Sequence, residues 1–174
     1  MLKGIAASTG VAIAELFYLR EPDLTVAPDM ECDPVAERAR YNAAAAQALS
    51  QLDALYDQAC QTDEQTAQVF DIHRMMLYDP DFYEGVSGAL DQGASAEWAV
   101  QQTADGLAAM FEAMEGDEYM QARAADVRDV KEGILRILLG LEETDISDAP
   151  PNTVLVVKEL TPSMTAGIRK ENVV

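Results

Sequence analysis

The chain has 174 residues, of which 49% are apolar and only 6% aromatic, and alanine supplies much of the apolar share. This length suits one domain or two small ones, and an Ala-rich, aromatic-poor composition favours closely packed helices. The 31 acidic and 12 basic residues give a net charge of −19, which argues against nucleic acid or an anionic membrane as a partner and favours a basic protein. On composition alone, the simpler interpretation is that the acidity serves solubility.

The sequence offers little support for membrane insertion, a metal site or a nucleophile. No apolar run reaches the ~20 residues of a membrane helix, and the start lacks a signal-peptide pattern, so we expect a cytoplasmic protein. Cys32 and Cys60 have no metal-ligand spacing and there is a single histidine, so we expect neither a metal nor another cofactor in this chain. No serine elbow or Cys–His motif is present, and no catalytic residue is predicted here.

The first twenty residues have a β-type pattern. Apolar residues in 5–7 and 11–19 predict two short strands around a turn at 8–10. Residues 21–34 contain three prolines and are predicted to form a connection to the region that follows.

The middle of the chain has apolar residues at steps of three and four, which predicts five helices. Their starts are marked by capping residues or by proline in the first turn: Asp33 with Pro34, Asp63, Asp79 with Pro80, Ser95, and Asp117. Their ends are marked by Gly93, Gly116 and Gly140. Large residues mark the apolar face of the fourth helix: Trp98, Thr103, Leu107, Met110, Phe111 and Met114. Short loops between neighbouring helices imply an antiparallel bundle.

The end of the chain returns to β-type segments. Residues 153–157 are rich in β-branched side chains and predict a buried strand. Thr161 and Pro162 have the pattern of a helix start, and residues 172–174 resemble the beginning of another strand.

Two domains are predicted from this order of elements. Residues 1–20 and 145–174 supply an incomplete α/β domain, and residues 31–143 form a helical subdomain inserted between them. The predicted fold class is therefore α+β but mainly α, an antiparallel helical bundle inserted into a truncated α/β domain.

The acidic stretch 63–84 is the first candidate for function. It holds six acidic residues against one base, Arg74. Apolar residues are interleaved with these charges: Met75, Met76, Tyr78, Phe82 and Tyr83. Because a helix buries only one stripe, some of them are expected at the surface, where a methionine patch with an acidic rim suits a basic partner. Core methionines beside a solvated acidic face are an equally good interpretation.

His73 is the single histidine of the chain. A phosphoryl-transfer histidine needs an accessible ring nitrogen and donors around the transferred oxygens. His73 is predicted in mid-helix, with neither a glycine-rich loop nor a helix N-terminus beside it. It is therefore expected to be a surface or interface residue and not a catalyst.

A second dense group of charges lies at 123–129. Asp126 and Asp129 are spaced to share one helix face, and Arg123 and Arg128 can pair locally. On these residues alone, ordinary surface ion pairs are the simplest interpretation.

Several segments follow motifs of one family. Residues 4–12 (G-I-A-A-S-T-G-V-A) follow G-x-x-A-S-P-G-x-A, with Thr9 in place of proline, and residues 70–80 (F-D-I-H-R-M-M-L-Y-D-P) follow F-E-x-H-x-x-(M/L)-L-x-D-P. Residues 118–130 contain E-Y and R-A-A-D-V-R-D-V, and residues 154–166 end in L-T-P-S-M-T-A. These motifs, of which the last two are specific, occur in enzyme I of the bacterial phosphoenolpyruvate:sugar phosphotransferase system. The chain resembles that family over essentially its whole length.

The resemblance implies a fold and a function. The family inserts a helical subdomain into an α/β phosphohistidine domain, moves a phosphoryl group from phosphoenolpyruvate to a histidine, and passes it to the phosphocarrier protein HPr for sugar uptake. HPr docks on the helical subdomain and offers positive charge and an apolar patch beside its own histidine. By position in the motifs, the docking residues are Glu64, Asp71, His73, Met75, Met76, Asp79, Phe82 and Arg123. Arg123 is expected to reach HPr or its phosphoryl group.

The resemblance also implies structural roles and departures. Three residues are expected to hold the helical subdomain to the α/β part: Asp126, Arg128 and Asp129. Thr165 is expected to support the active histidine by hydrogen bonding. Gln65 stands where the family has an acid, which weakens or shifts the docking surface, and Met164 also replaces an acid.

The phosphorylated histidine of the family is not part of this sequence. In the family, the strand that begins near Val173 leads to a T-S-H segment that contains this histidine. The C-terminal barrel, which binds phosphoenolpyruvate and magnesium and forms the homodimer, is also outside the sequence. The resemblance therefore implies a magnesium-dependent, dimeric parent enzyme and a catalytically inactive chain.

Two other functions stay open at this point. One is an acidic helical docking module without a role in phosphotransfer. The other is a paralogous enzyme I that serves a nitrogen-related or dihydroxyacetone phosphorelay. The sugar is not implied, because enzyme I acts before any sugar-specific component.

Overall fold

The computed structural model describes residues 10–19, 23–61, 64–114, 116–141, 146, 149–157, 168–169 and 171–174. Within these ranges the chain forms two short strands, β1 (Glu15–Tyr18) and β2 (Thr153–Val156). It also forms five helices: α1 (Pro34–Cys60), α2 (Glu64–Leu77), α3 (Pro80–Asp91), α4 (Ala96–Glu112) and α5 (Glu118–Leu138). In this part of the chain, no helix combines the length and the apolar character that a membrane crossing needs.

Four helices begin with a side-chain cap at the position predicted from the sequence: Asp33, Asp79, Ser95 and Asp117. In each cap a side-chain oxygen accepts a hydrogen bond of 2.9–3.3 Å from a backbone N–H of the first turn. The predicted starts, including the break between α2 and α3, are confirmed. The predicted end of α4 is wrong, because this helix stops at Glu112 while Gly116 lies in the turn before α5 with a left-handed φ of 82°.

Small side chains form much of the core between the helices. Five alanines of α4 and α5 are at most 1% exposed: Ala96, Ala99, Ala104, Ala108 and Ala124. Of the large residues expected on the apolar face of α4, Trp98, Leu107 and Phe111 are partly buried and pack against this core, whereas Met110 is 46% exposed. The expectation therefore holds in part. The alanines are buried more deeply because they let α4 approach its neighbours closely.

The two strands pair in parallel, with Glu15 opposite Thr153 and Tyr18 opposite Val156. Val173 forms an isolated parallel bridge with Thr153, so the predicted C-terminal strand is present as a single bridge. The predicted strand at 11–19 forms over Glu15–Tyr18 as β1, while residues 11–14 stay outside it. The predicted strand at 5–7 and the predicted helix at Thr161 lie outside the described residues. The predicted fold class is confirmed, and the two-domain division stays a prediction.

The connection before α1 is attached to the turn between α3 and α4. The Cys32 N–H donates to the Gly93 carbonyl at 2.9 Å, and the Ser95 N–H donates to the Asp29 carbonyl at 2.9 Å. Gly93 has a φ of 89°, a conformation that favours glycine. These contacts tie the connection before α1 to the turn between α3 and α4, two of the helices that frame the candidate site.

Candidate functional site

A groove with a volume of about 370 Å³ opens between α2, α3, α4 and α5. Its lining is predominantly apolar and comes from all four helices and the turn before α3: Met75, Met76, Asp79, Asp81, Phe82, Leu107, Met110, Phe111, Met120, Arg123, Val127 and Val130. We refer to it as the methionine groove, because four methionines line it. Five of the eight predicted docking residues are brought together here: Met75, Met76, Asp79, Phe82 and Arg123.

The floor and the edge of the methionine groove differ in exposure. Phe82 is only 2% exposed and Met76 is half-buried, so both belong partly to the core. Met75 is 63% exposed and Met110 is 46% exposed, and their thioether chains are available to a partner. The two interpretations of the acidic stretch therefore each hold for part of it: some of its apolar residues build the core and others form a surface.

Acidic side chains lie along the same side of the bundle. Asp79 and Asp81 line the methionine groove, and the Asp79 carboxylate also caps α3 by accepting from the Asp81 N–H at 2.9 Å. Glu64 and Asp71 are exposed on α2 outside the groove lining. Asp71 lies 3.7 Å from the Arg74 guanidinium, which reduces its free negative charge.

Arg123 lies at the α5 wall of the methionine groove and is held by an aromatic side chain. Its Nη2 donates a 2.6 Å hydrogen bond to the Tyr119 hydroxyl, and its guanidinium carbon lies 5.1 Å from the centre of the Tyr119 ring. No carboxylate whose side chain the structure describes forms an ion pair with Arg123. The guanidinium therefore keeps both its charge and most of its donors.

His73 was predicted to be a surface or interface residue, but the structure places it inside the bundle. Its side chain is buried, with 1% exposure, between α2 and α5. Nε2 lies 3.4 Å from Asp126 Oδ1, Nδ1 lies 3.5 Å from Asp129 Oδ2, and the Phe70 ring packs edge-on at 6.4 Å between centroids. The surface prediction is corrected: His73 faces away from solvent because the two carboxylates of α5 give its polar ring partners inside the bundle.

Three charged residues of α5, Asp126, Arg128 and Asp129, make their described contacts with other helices of the bundle. Asp126 and Asp129 meet His73 of α2, and Arg128 donates to Glu112 of α4 at 2.6 Å. Contacts of these residues with the α/β part, which the resemblance implies, stay a prediction. Thr165 lies outside the described residues.

The sequence reasoning missed two components of the site. It treated Met110, Phe111 and Leu107 only as residues of the α4 core face, although they form one wall of the methionine groove. It also gave no role to Tyr119, which lies one helical turn before Arg123, a spacing that places two side chains on one face. In the ranges that the structure describes, no cluster of three His, Cys, Asp or Glu residues could hold a metal ion.

The described residues form a helical bundle with an open, mostly apolar groove, together with a small parallel sheet. Residues 3–123 match the family model described as "PEP-utilising enzyme, N-terminal". The chain belongs to this family of phosphoenolpyruvate-utilising enzymes.

Similar proteins place the chain more closely. The phosphoenolpyruvate-protein phosphotransferase of Lactococcus lactis subsp. lactis (strain IL1403) is 39% identical over 173 residues, which cover 98% of this chain and 30% of that protein. An NMR solution structure of enzyme I has a TM-score of 0.84 and 32% identity, over 99% of this chain and 71% of the other. A structure of the N-terminal domain of enzyme I of the nitrogen type has a TM-score of 0.69 and 28% identity, and the match covers 94% of this chain and 68% of the other. The chain is homologous to the N-terminal domain of enzyme I and spans about 30% of the length of the curated relatives it matches.

Proposed function

We propose that this chain is the N-terminal part of a phosphoenolpyruvate-protein phosphotransferase and that its methionine groove docks the phosphocarrier protein HPr. Homology to enzyme I over almost the whole chain supports the first half of this proposal. The second half rests on one feature of the geometry. An apolar groove, open to solvent, is bordered by carboxylates and by Arg123, whose described contacts include no ion pair.

Shape and charge of the methionine groove support docking of a basic protein. Met75 and Met110 expose flexible apolar chains that can adapt to a partner surface. Asp79 and Asp81 at the groove, together with the net charge of −19, attract positive charge and speed the encounter. The apolar, positively charged surface of HPr that the resemblance implies matches both properties.

Arg123 is proposed to contact the phosphoryl group that HPr carries. A planar guanidinium presents five N–H donors and can bind two oxygens of a phosphoryl group side by side. One of these donors is used by Tyr119, so the remaining donors are available to an oxyanion. Such a contact would neutralise charge on the transferred group while the apolar walls of the groove exclude water.

In the whole enzyme, the phosphoryl group would pass in the cytoplasm from phosphoenolpyruvate to a histidine and then to HPr. HPr would in turn supply the phosphoryl group for sugar uptake. We place this histidine, the phosphoenolpyruvate and magnesium site, and the dimer contact in parts of the enzyme outside this chain, which spans about 30% of its relatives. On this proposal the chain alone binds HPr and does not transfer the phosphoryl group. Thr165 would then support the histidine only in the complete enzyme.

A nitrogen-related paralogue is the second candidate function. The N-terminal domain of the nitrogen-type enzyme shares the fold, with a TM-score of 0.69 and 28% identity. The likeness to the structure named simply enzyme I is greater, with a TM-score of 0.84 and 32% identity. This difference favours HPr over the nitrogen-branch carrier as the partner.

Titration of the isotope-labelled chain with HPr from the same source tests the proposal. We expect NMR shift changes at the methionine groove, and weaker binding when salt is raised to about 1 M, where the screening length falls to about 3 Å. Met75→Ala should weaken binding about fivefold or more, since it removes an exposed apolar contact. Met30→Ala is the matched control, because Met30 is also exposed, at 44%, but does not line the groove.

Each outcome of this titration bears on the docking assignment. Shifts at the groove, with a loss of affinity in M75A but not in M30A, support it. A well-dispersed spectrum that does not change with HPr overturns it. A response to the nitrogen-branch carrier in place of HPr would favour the second candidate.

A further inference from the structure

Arg123 differs from the other arginines of the helical bundle. Helices α1–α5 contain six arginines. Five of them lie within 4.0 Å of a carboxylate oxygen: Arg38, Arg40, Arg74, Arg128 and Arg136. Arg123 forms no ion pair with a described carboxylate and is held by the phenol of Tyr119. In a chain with 31 acidic residues, an arginine at an apolar groove that lacks such a pair is unusual.

Tyr119 makes two contacts with the Arg123 side chain. Its hydroxyl accepts the 2.6 Å hydrogen bond from Nη2, and its ring lies against the guanidinium at 5.1 Å. The two residues are four positions apart on α5, so the helix itself sets their separation. Tyr119 is 64% exposed and is not part of the groove lining, so it supports Arg123 from the side.

A phenol restrains an arginine without neutralising it. A carboxylate in the same position would cancel the positive charge and compete with an incoming oxyanion for the guanidinium donors. A neutral hydroxyl and an aromatic ring limit the rotamers of the side chain and leave its charge intact. Restraint before binding reduces the conformational entropy that binding must otherwise remove.

We propose that Tyr119 is a positioning residue that holds the charged Arg123 guanidinium at the methionine groove, ready to bind an oxyanion of the docked partner. This inference rests on the proposed docking of HPr, and it adds Tyr119 as a residue that acts through Arg123. It predicts that the contribution of Arg123 to binding depends on Tyr119.

A double-mutant cycle measured by calorimetry with phosphorylated HPr tests this dependence. Arg123→Gln in the unsubstituted chain should weaken binding about tenfold, as expected for the loss of a charge-assisted hydrogen bond. In a Tyr119→Leu background the same change should weaken binding only about twofold to threefold, because the guanidinium is no longer restrained. Tyr119→Phe, which keeps the ring and removes the hydroxyl, should lie between these values.

Tyr18→Leu is the matched control for the cycle. Tyr18 is also 64% exposed but lies on β1, so its effect should add to that of R123Q. A second readout does not need HPr: the δ protons of Arg123 should be shifted upfield by the Tyr119 ring in the free chain, and this shift should vanish in Y119L. The thermal midpoint of unfolding of each variant is also measured, so that a loss of folding is not taken for a loss of binding.

The outcomes separate this inference from the proposed function. A tenfold effect of R123Q that shrinks in Y119L but not in Y18L supports positioning by Tyr119. Equal effects of R123Q in both backgrounds, or an Arg123 resonance unaffected by Y119L, overturn it while leaving HPr docking intact. Failure of the unsubstituted chain to bind HPr overturns the docking assignment and this inference together.

Discussion

Replacement of His73 tests whether the contact between α2 and α5 depends on its buried imidazole. The ring is 1% exposed and lies 3.4 and 3.5 Å from carboxylate oxygens of Asp126 and Asp129. Deletion of a buried aromatic ring costs roughly 3–5 kcal/mol through lost burial and the cavity left behind. Because imidazole is smaller and more polar than a phenyl ring, we expect His73→Ala to lower the free energy of unfolding by about 2–4 kcal/mol.

His73→Phe separates the packing contribution from the polar one. Phenylalanine fills the site but has no ring nitrogen to contact the two carboxylates, so only the polar contribution is lost. The Asp126 and Asp129 side chains are 24% and 15% exposed, and water can therefore reach part of each carboxylate. We expect a loss of about 1–2 kcal/mol, toward the lower end of the range for unpaired polar groups.

Urea unfolding followed by circular dichroism at neutral pH measures these differences. Gln68→Ala, an exposed change on the same helix, is the control and should stay within about 0.5 kcal/mol of the unsubstituted chain. An H73F variant as stable as the unsubstituted chain would refute the role given to the carboxylate contacts. An H73A variant that loses less than about 1 kcal/mol would refute the packing argument as well.

Three further changes test the fold. Gly93→Ala should lower the free energy of unfolding by about 2–4 kcal/mol, because φ is 89° and an added Cβ would lie 2.8 Å from the Met30 carbonyl oxygen. Gly88→Ala is the control: this helical position has open space around it, so the change should be neutral or stabilising by up to about 1 kcal/mol in urea unfolding. Burial raises the pKa of Tyr41 to about 12. The folded state thus holds this proton more tightly than the unfolded state, and stability is lost as the pH rises from the ordinary tyrosine pKa of 10.0 to about 12. A Tyr41→Phe variant should lack this part of the loss, roughly 2 kcal/mol, and equal pH profiles of the two proteins would contradict the assignment. Asp79→Ala should lower stability by about 1 kcal/mol through loss of the α3 cap, and Asp79→Ser should restore most of it.

The helix starts could be predicted because capping is local. Asp33, Asp79, Ser95 and Asp117 each bind a backbone N–H within three positions of themselves, so the pattern is complete within a few residues of sequence. The family could be predicted for a related reason, since its motifs are contiguous stretches of sequence. The end of α4 could not, because Gly116 permits a left-handed turn but does not determine where the preceding helix frays.

The buried face of α4 illustrates a limit of periodicity. Its large residues and its alanines both recur at helical spacing, and size suggested that Met110 and Phe111 face the core. The alanines are buried most deeply, Phe111 packs partly against the same core and Met110 is exposed, because close approach of neighbouring helices favours small side chains at the contact. Only the packing of the bundle decides how deeply each residue is buried, and Leu107, Met110 and Phe111, which are not fully buried, form a wall of the methionine groove.

The amino-acid sequence by itself determined the fold class, the positions of the helices and the family, since these depend on contiguous residues. It also identified five residues of the methionine groove through motif positions. Tertiary structure alone decided that His73 is buried, that Arg123 lacks a described carboxylate partner, and that four helices frame one groove. His73 and Asp126 are 53 positions apart, and the contact between them forms only when α2 packs on α5. Local propensity carries no information about such a pair, because burial and polar contacts between helices are properties of the assembled bundle.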